Sequence, residues 1–116
     1  MTITLYGIPN CDTVKKARTW LADNGVDFTF HDFKKQGLDH ATAAAWLEAR
    51  DWEVLVNRKG TTWRNLTDEQ KVAVVDKSSA LALMLATTSV IKRPVLQGAG
   101  ALQVGFTPDL YASVFK

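Results

Sequence analysis

The first third of the chain switches between two hydrophobic periods, and this switch limits the folds that it can adopt. Thr2 to Tyr6 and Val26 to Phe33 show the alternation of β-branched, apolar and polar residues that is typical of strands. Between them, Asp12 to Asn24 is predicted to be a helix. Its apolar positions recur at helical spacing: Val14, Ala17, Trp20 and Leu21. A strand, a helix and a second strand in succession predict a βαβ unit, whose strands are usually parallel.

The middle of the chain is predicted to be helical. Three helices and one basic, glycine-containing loop follow one another: a helix from Asp39 to about Arg50, the loop NRKGTTWRN from Asn57 to Asn65, a helix from Thr67 to about Val75, and a helix over Ser78 to Thr88. Asp39 is a suitable N-cap, and Thr67 with Gln70 has the pattern of a capping box. The last helix is almost wholly apolar, so we expect it to be nearly all buried.

The last third returns to β-structure. Pro94 to Leu96 is a short apolar strand, Gly98 to Gly100 is a turn, and Leu102 to Phe106 pairs back as a hairpin. Thr107 then caps a final helix that has Pro108 at its first position. The order is β-α-β, a helical insertion over about residues 37–88, then β-β-α. We therefore expect a single α/β domain over residues 1–116, compatible with a thioredoxin-like fold.

Composition restricts the class of protein. The 116 residues suit one compact domain, and a hydrophobic fraction of 47% is enough for one core. No apolar run approaches the ~20 residues of a membrane span. The start MTITLYG has no Lys or Arg for a secretory signal, so we expect a cytoplasmic protein without a membrane partner. The net charge of +2 does not favour a direct nucleic-acid partner. His31 and His40 lack a plausible ligand set, so no metal site is predicted.

Cys11 is the only cysteine in the chain, which excludes an internal disulfide and is consistent with a reducing compartment. It opens the first predicted helix, where unpaired backbone N–H groups and the helix dipole favour a thiolate, and Lys15 lies one turn further on. The alternative is that Cys11 is a small apolar residue at a turn. Val14 stands where a second cysteine would complete a C-x-x-C motif. Redox chemistry at Cys11 would therefore require an external thiol such as glutathione.

Two further segments carry residues that suit an anionic ligand. In IKRPV, Arg93 either binds an anion or is a solvated charge, and Pro94 opens a strand with either a trans or a cis peptide bond, of which trans is commoner. In NRKGTTWRN, Arg58 and Arg64 suit an oxyanion or a glutathione carboxylate, and the alternative is a polar loop anchored by Trp63. The candidate substrate- or glutathione-binding residues are Asn10, Lys15, Arg58, Arg64, Arg93 and Pro94.

Four motifs, taken in chain order, resemble the arsenate reductase ArsC/Spx family, and most closely its YffB-like subgroup. They are LYGIPNCDTVKKA, NRKGTTWR, IKRPV and VGF, and the likeness covers essentially the whole chain. The resemblance implies a thioredoxin-like fold with a helical insertion. It also implies that Cys11 is the nucleophile, that Arg93 is the arginine preceding the family's cis-proline, and that Pro94 is that proline.

The resemblance implies a thiol oxidoreductase. We expect a glutathione-dependent thiol reductase that has Cys11 as its single nucleophile and no tightly bound cofactor. Glutathione or another small thiol would be its co-substrate, with glutaredoxin as a further partner. Spx proteins share this fold but regulate transcription, so one alternative is an Spx-like regulator that binds the RNA polymerase α-subunit. A further alternative is arsenate reduction with glutathione and glutaredoxin.

The arginines that surround the oxyanion in arsenate reductases of this family are incompletely represented. Of three, only Arg93 is clearly retained. The place of the second falls on Asn57 or Arg58, depending on register, and that of the third falls on Gly105. The loss of one charge-assisted contact costs on the order of 1.5–3 kcal/mol. We therefore expect arsenate reduction to be less favoured than thiol reduction.

Overall fold

The computed structural model describes residues 2–115. Its elements in chain order are β1 (Thr4–Gly7), α1 (Asp12–Asp23), β2 (Thr29–Asp32), α2 (Phe33–Gln36), α3 (His40–Ala49), α4 (Trp52–Leu55), α5 (Thr61–Arg64), α6 (Asp68–Ala73), α7 (Lys77–Ala86), a 3-10 turn (Thr88–Val90), β3 (Val95–Gln97), β4 (Gln103–Val104) and α8 (Pro108–Val114). The strands lie toward the two ends of the chain, and α3 to α7 lie between them. This is the predicted order of β-α-β, helical insertion and β-β-α.

Within the described residues, the sheet has the strand order β2-β1-β3-β4. β1 and β2 are parallel, with Leu5 opposite Phe30, as the βαβ pattern predicts. β3 runs antiparallel to β1, with Leu5 opposite Leu96, and antiparallel to β4 in the predicted hairpin. The predicted α/β architecture with a thioredoxin-like sheet is therefore confirmed.

The strands β1, β2 and β4 are shorter than their hydrophobic patterns predict. β2 begins at Thr29 instead of Val26 and ends before Phe33. Alternation reports which side chains are buried, whereas a strand also requires a hydrogen-bonded neighbour, and β1 pairs with β2 over four residues. At the end of β2, the carboxylate of Asp32 accepts the backbone N–H of Lys34 at 2.9 Å. The chain then turns directly into the short helix α2.

Residue contacts divide the chain into two compact units. The first comprises the described residues up to Gln36 and from Arg93 onward, and the second is Gly37–Lys92. The second unit begins where the predicted insertion begins but extends beyond residue 88. The backbone N–H of Lys92 donates to the carbonyl of Leu55 at 2.7 Å, and Val56 pairs with Ile91 in an isolated bridge. These bonds keep the residues after α7 with the helical unit.

Two expectations for the second unit are wrong. The segment predicted as a loop over Asn57–Asn65 contains the helical turn α5. The helix α7 is also not nearly all buried: Ala80 and Met84 are buried, whereas Leu81 and Leu83 remain half-buried. α7 packs on α3 along one side. One neighbouring helix covers only one face of an apolar helix, so composition alone overestimates its burial.

The core of the first unit lies between the sheet and the helices α1 and α8. Leu5 and Leu96 from adjacent strands pack with Leu21 of α1 and Tyr111 of α8, and all four are fully buried. Trp20, predicted on the buried face of α1, is only half-buried and packs at the edge of this cluster. Aromatic rings surround that of Tyr111: Trp20, Phe106 and Phe115. Burial raises the pKa of Tyr111, whose hydroxyl has no hydrogen-bond partner within residues 2–115.

The three predicted helix caps are confirmed. Asp39 accepts the N–H of Thr42 at 2.7 Å, and Thr107 accepts that of Leu110 at 3.1 Å. The predicted capping box at the start of α6 is complete. The sequence reading missed a second capping box, in which Asp76 and Ser79 begin α7. At the start of four helices, a short polar side chain therefore accepts one of the free backbone N–H groups.

Candidate active site

Cys11 lies between the end of β1 and the first turn of α1, where the sequence predicts it. Its backbone is extended (φ −115°, ψ 122°), and its carbonyl accepts the N–H of Lys15 at 2.9 Å. Gly7 ends β1, and a Cβ atom on it would lie 2.8 Å from a methyl group of Val14. The glycine therefore lets α1 return close against the strand. Val14, at the position of a second cysteine in C-x-x-C motifs, instead has a fully buried packing role.

The thiol of Cys11 is free and half-buried. Cys11 is the N-cap of α1, yet its side chain makes no capping hydrogen bond to the described residues of the first turn. By helix geometry, the first N–H groups of α1 have no acceptor within the helix. These groups and the dipole of a 12-residue helix favour negative charge at this position, while Asp12 in the first turn opposes it. The arrangement suits a group that becomes anionic when it reacts.

Pro94 lies at the same edge of the sheet as the end of β1. Val95 pairs with Tyr6 in the antiparallel register, so Pro94 falls level with Gly7. The Arg93–Pro94 peptide bond is cis, as the family resemblance implies. Pro94 is buried, and its carbonyl accepts the backbone N–H of Gly105 at 2.8 Å. The cis-proline is thus tied on one side to β1 and on the other to the residue after β4.

The first unit brings four of the predicted ligand residues to this edge. Asn10 immediately precedes Cys11, and Lys15 follows it by one turn of α1; both are exposed. Arg93 is half-buried, and within residues 2–115 its guanidinium forms no ion pair. Asn10 and Lys15 are therefore near Cys11 along the chain, whereas Arg93 and Pro94 reach the same edge of the sheet through the pairing of β3 with β1. Amide and cationic side chains of this kind can bind a carboxylate.

The other two predicted ligand residues belong to the second unit. Arg58 is exposed and already engaged, because it contacts Glu53 at 2.7 Å and lies 5.5 Å from the ring centre of Trp52. Arg64 ends α5, and its carbonyl accepts the ammonium of Lys71 at 3.3 Å. An anion that binds Arg58 must compete with the carboxylate of Glu53. The anion-binding role of both arginines stays a prediction.

Gly105, which the family resemblance puts at the place of the third arginine of arsenate reductases, has a backbone role. It is buried, and its φ of 86° lies in the left-handed region that disfavours residues with a side chain. Its N–H also holds the carbonyl of Pro94. An arginine would be strained in this backbone conformation. The glycine that stands here supplies no positive charge to the site.

The sequence reading missed two aromatic residues beside this edge. The sequence places Trp20 among the apolar positions of the first helix, and Phe106 only at the end of a strand. Both line a surface groove of about 480 Å³ along α1, in which Lys15 is also a lining residue. A tryptophan nine residues after the only cysteine, on the same predicted helix, was the available signal, but its partner on the other wall depends on tertiary structure.

Other kinds of site find no support within residues 2–115. No group of three or more His, Cys, Asp or Glu side chains there is arranged to hold a metal ion. None of the helices in that range is long and apolar enough to span a bilayer.

A half-buried cysteine at a helix start, with a cis-proline level with the end of the preceding strand in a four-stranded mixed sheet, is the arrangement expected of a thiol oxidoreductase family with a thioredoxin-like fold. The model of the ArsC family matches residues 6–114, so the chain belongs to the ArsC family. The family and fold expected from the motifs are thus confirmed.

Three similar proteins agree with this assignment. The structure described as YFFB protein is 48% identical, with a TM-score of 0.93 over 99% of this chain and 100% of the other. An arsenate reductase (ArsC) related protein of Brucella melitensis is 53% identical, with a TM-score of 0.77 over 100% and 96%. The global transcriptional regulator Spx of Streptococcus pyogenes is 24% identical over 92% of this chain and 80% of its own length.

Proposed function

We propose that this chain is a glutathione-dependent thiol reductase that uses Cys11 as its single nucleophile. The observation that carries the proposal is the free thiol at the uncapped start of α1. Membership of the ArsC family supports the reductase class. Because position 14 is a valine and the chain has no second cysteine, no dithiol can form within the chain. This supports the proposal that the resolving thiol is external. A reducing compartment such as the cytoplasm would supply that thiol.

The proposed reaction is three successive thiol–disulfide exchanges. The Cys11 thiolate attacks one sulfur of a substrate disulfide, the Cys11–substrate S–S bond forms, and the other sulfur leaves as a thiolate that takes up a proton. A glutathione thiolate then attacks the substrate-derived sulfur, which releases Cys11 as a thiolate and leaves a glutathione mixed disulfide. A second glutathione converts that product into glutathione disulfide and the substrate thiol. The two electrons come from two glutathione thiols.

Each residue near Cys11 has a proposed part in this reaction. The free N–H groups of α1 stabilise the thiolate both before attack and as a leaving group. Arg93 and Lys15 bind a glutathione carboxylate, Asn10 donates to the same ligand, and the backbone of Pro94 positions it. Arg58 and Arg64 remain candidate anion ligands of the second unit. Glutaredoxin would be a further partner in regenerating the thiol.

The direct test is the reduction of hydroxyethyl disulfide by glutathione, measured as glutathione disulfide formed by the wild type and by Cys11→Ser. We expect the serine variant to lose all protein-dependent turnover, because a hydroxyl at neutral pH is a far weaker nucleophile than a thiolate. Thr67→Ser, a conservative change at the cap of α6, is the control and should retain full turnover. Turnover that survives in Cys11→Ser would refute the mechanism.

A second candidate function is an Spx-like regulator, favoured by the similarity to Spx over most of the chain. It requires binding to the RNA polymerase α-subunit rather than turnover. Titration of the purified subunit distinguishes the two functions. Saturable binding that Cys11→Ser leaves intact, together with no turnover in the wild type, would favour regulation over catalysis.

Arsenate reduction is a third candidate, favoured by the similarity to the arsenate reductase related protein of Brucella melitensis. Gly105 counts against it, because that position supplies no third arginine. Rescue of growth in an arsenate-sensitive strain by the wild type, and not by Cys11→Ser, would support it.

A further inference from the structure

The first unit has a surface groove between α1 and Phe106, the α1–Phe106 groove. The reaction at Cys11 does not by itself require this groove. The groove has a volume of about 480 Å³ and is lined by Lys15, Lys16, Thr19, Trp20, Asp23, Phe106 and Pro108. Small-molecule and cofactor sites commonly fall in the range of roughly 300–1,000 Å³. The groove is therefore large enough to bind more of a substrate than the reacting sulfur atoms.

Both walls of the groove lead back to the reactive edge of the sheet. On one wall, the N–H of Lys15 donates to the carbonyl of Cys11 at 2.9 Å. On the other, Phe106 directly follows Gly105, whose N–H donates to the carbonyl of Pro94 at 2.8 Å. The end of the groove at Lys15 therefore lies one helical turn from Cys11.

The apolar part of the groove is built on a buried support. The rings of Trp20 and Phe106 both meet that of Tyr111 edge-on, at centroid distances of 5.7 and 4.6 Å and interplanar angles of 89°. Tyr111 is fully buried, so both lining rings rest on the core. Edge-to-face contacts of this kind are favourable, and they leave the two rings in place for an apolar side chain of a ligand.

The charges of the groove are ordered along α1. Lys15 and Lys16 lie at the end near Cys11, and Asp23 lies at the far end. None of the three forms an ion pair within residues 2–115. A ligand that complements this order has an acidic group near the thiol, an apolar group in the middle and a basic group farthest away.

The length of the groove suits an extended peptide. Lys15 and Asp23 are eight helical residues apart, which at a rise of ~1.5 Å per residue is about 12 Å. An extended chain covers that distance in about three to four residues at ~3.3–3.6 Å each. A peptide segment with side chains of ordered charge therefore matches both the span and the polarity of the groove.

We infer that the α1–Phe106 groove binds a short extended segment of an oxidised protein substrate, with an acidic residue next to the reacting cysteine and an apolar residue beyond it. This inference rests on the proposed function for the reaction, although the binding itself can be measured without it. With a glutathionylated segment, the Cys11 thiolate attacks the glutathione sulfur, and the segment leaves as a thiolate that takes up a proton. A second glutathione then releases Cys11 and forms glutathione disulfide.

The first arm of the test measures binding by chemical-shift titration of the wild-type chain. The probes are the capped peptides Ser-Glu-Phe-Lys and Ser-Lys-Phe-Glu, which have identical composition and exchanged charges, each also in reversed order. We expect the acid-proximal peptide to bind about five- to tenfold more tightly in the better chain direction, the size of one or two exposed ion pairs. Its shifts should fall on Lys16, Trp20 and Phe106. Equal affinities, or shifts confined elsewhere, would overturn the inference.

A charge reversal on the groove provides the second check. In Lys16→Glu, the preference between the two peptides should be lost or inverted. Lys35→Glu reverses an exposed lysine of α2 that does not line the groove, and it should keep the wild-type preference. Because each result is a ratio of two peptides on one protein, a general loss of stability cancels. A preference that both variants change equally would contradict the inference.

The third arm separates this inference from the proposed function. Serine in each peptide is replaced by S-glutathionylated cysteine, and kcat/KM is measured with glutathione. Turnover of both peptides with about a fivefold or larger preference for the acid-proximal one supports both proposals. Turnover without preference overturns the groove alone. No turnover of either peptide, with the binding preference retained, overturns the reductase and leaves the groove as a peptide-binding site.

Discussion

The helix that follows Cys11 begins differently from the longer helices elsewhere in the molecule. Among the described helices of six residues or more, α3, α6, α7 and α8 begin with an Asp or Thr whose side chain accepts a backbone N–H of the first turn. α1 is the longest of them and begins with Cys11, which makes no such bond. Where a helix has only a structural role, the sequence supplies a cap. At α1, the free N–H groups remain available to a reacting anion.

Arg58 and Arg93, each in a segment that suits an anionic ligand, differ in a similar way. Arg58, in the helical unit, is held by Glu53 and by the ring of Trp52. Arg93, next to the cis-proline, forms no ion pair within the described part of the chain. A cation with a protein partner has part of its binding capacity occupied, whereas Arg93 can offer its full charge to a ligand.

The largest test of the comparison is Cys11→Ser. Beyond the loss of turnover, we expect the variant to be more stable by about 0.5–1 kcal/mol, because serine is a good N-cap and cysteine here makes no capping bond. Urea denaturation of both proteins measures the free energy of unfolding. A clear decrease in stability would mean that Cys11 contributes to the fold through packing, and that the contrast between α1 and the other helices is structural.

The next test is the pair Arg93→Ala and Arg58→Ala. Removal of a charge-assisted hydrogen bond of about 1.5–3 kcal/mol should raise the KM for glutathione about ten- to a hundredfold in Arg93→Ala. The effect of Arg58→Ala should be smaller, because Glu53 already pairs with that guanidinium. Initial rates against glutathione concentration measure both. Equal increases in KM would remove the distinction between the two arginines.

A smaller effect is expected at a structural cap. Thr67→Ala removes the side-chain oxygen that accepts the N–H of Gln70 at 3.1 Å, and the free energy of unfolding should fall by about 1 kcal/mol. Turnover should not change, because Thr67 has a capping role at α6 and no part in the proposed reaction at Cys11. If turnover falls although the protein remains folded, this cap has a functional role. The contrast between α1 and the helices with a capping side chain would then not hold.

The smallest effect concerns pH. Hydrogen bonds from the backbone N–H and the hydroxyl of Ser79 lower the pKa of Asp76 below its ordinary value of 3.8. Because the folded-state pKa is the lower one, the ionised carboxylate stabilises the fold above 3.8, and this contribution is lost as pH falls through the folded-state value. Relative to Asp76→Asn, the wild type should therefore lose stability between neutral pH and values below 3.8. Denaturation curves of both proteins across this range provide the measurement, and a difference independent of pH would exclude the ionised cap.

Much of the local structure could be read from the sequence because it depends on neighbouring residues. Asp39, Thr67 and Thr107 were assigned as caps from residue type and spacing, and all three cap their helices. The strand bounds were less accurate. The predicted second strand included Val26 to Phe28, which lie outside β2. Pairing with β1, and not alternation, decides where this strand begins. The burial of α7 was overestimated for a similar reason, since a neighbouring helix covers only one of its faces.

By itself, the sequence determined that there is one thiol, that it opens a helix after a strand, and that no second cysteine lies one turn on. These properties follow directly from the order of residues. The turns, caps and helix patterns that indicate them each involve only a few neighbouring residues. Only the tertiary structure decided that Pro94 lies level with Gly7, that Gly105 holds the carbonyl of Pro94, and that Trp20 and Phe106 share Tyr111 as a support. Those relations join residues far apart in the chain, and strand register and core packing, which no local pattern specifies, bring them together.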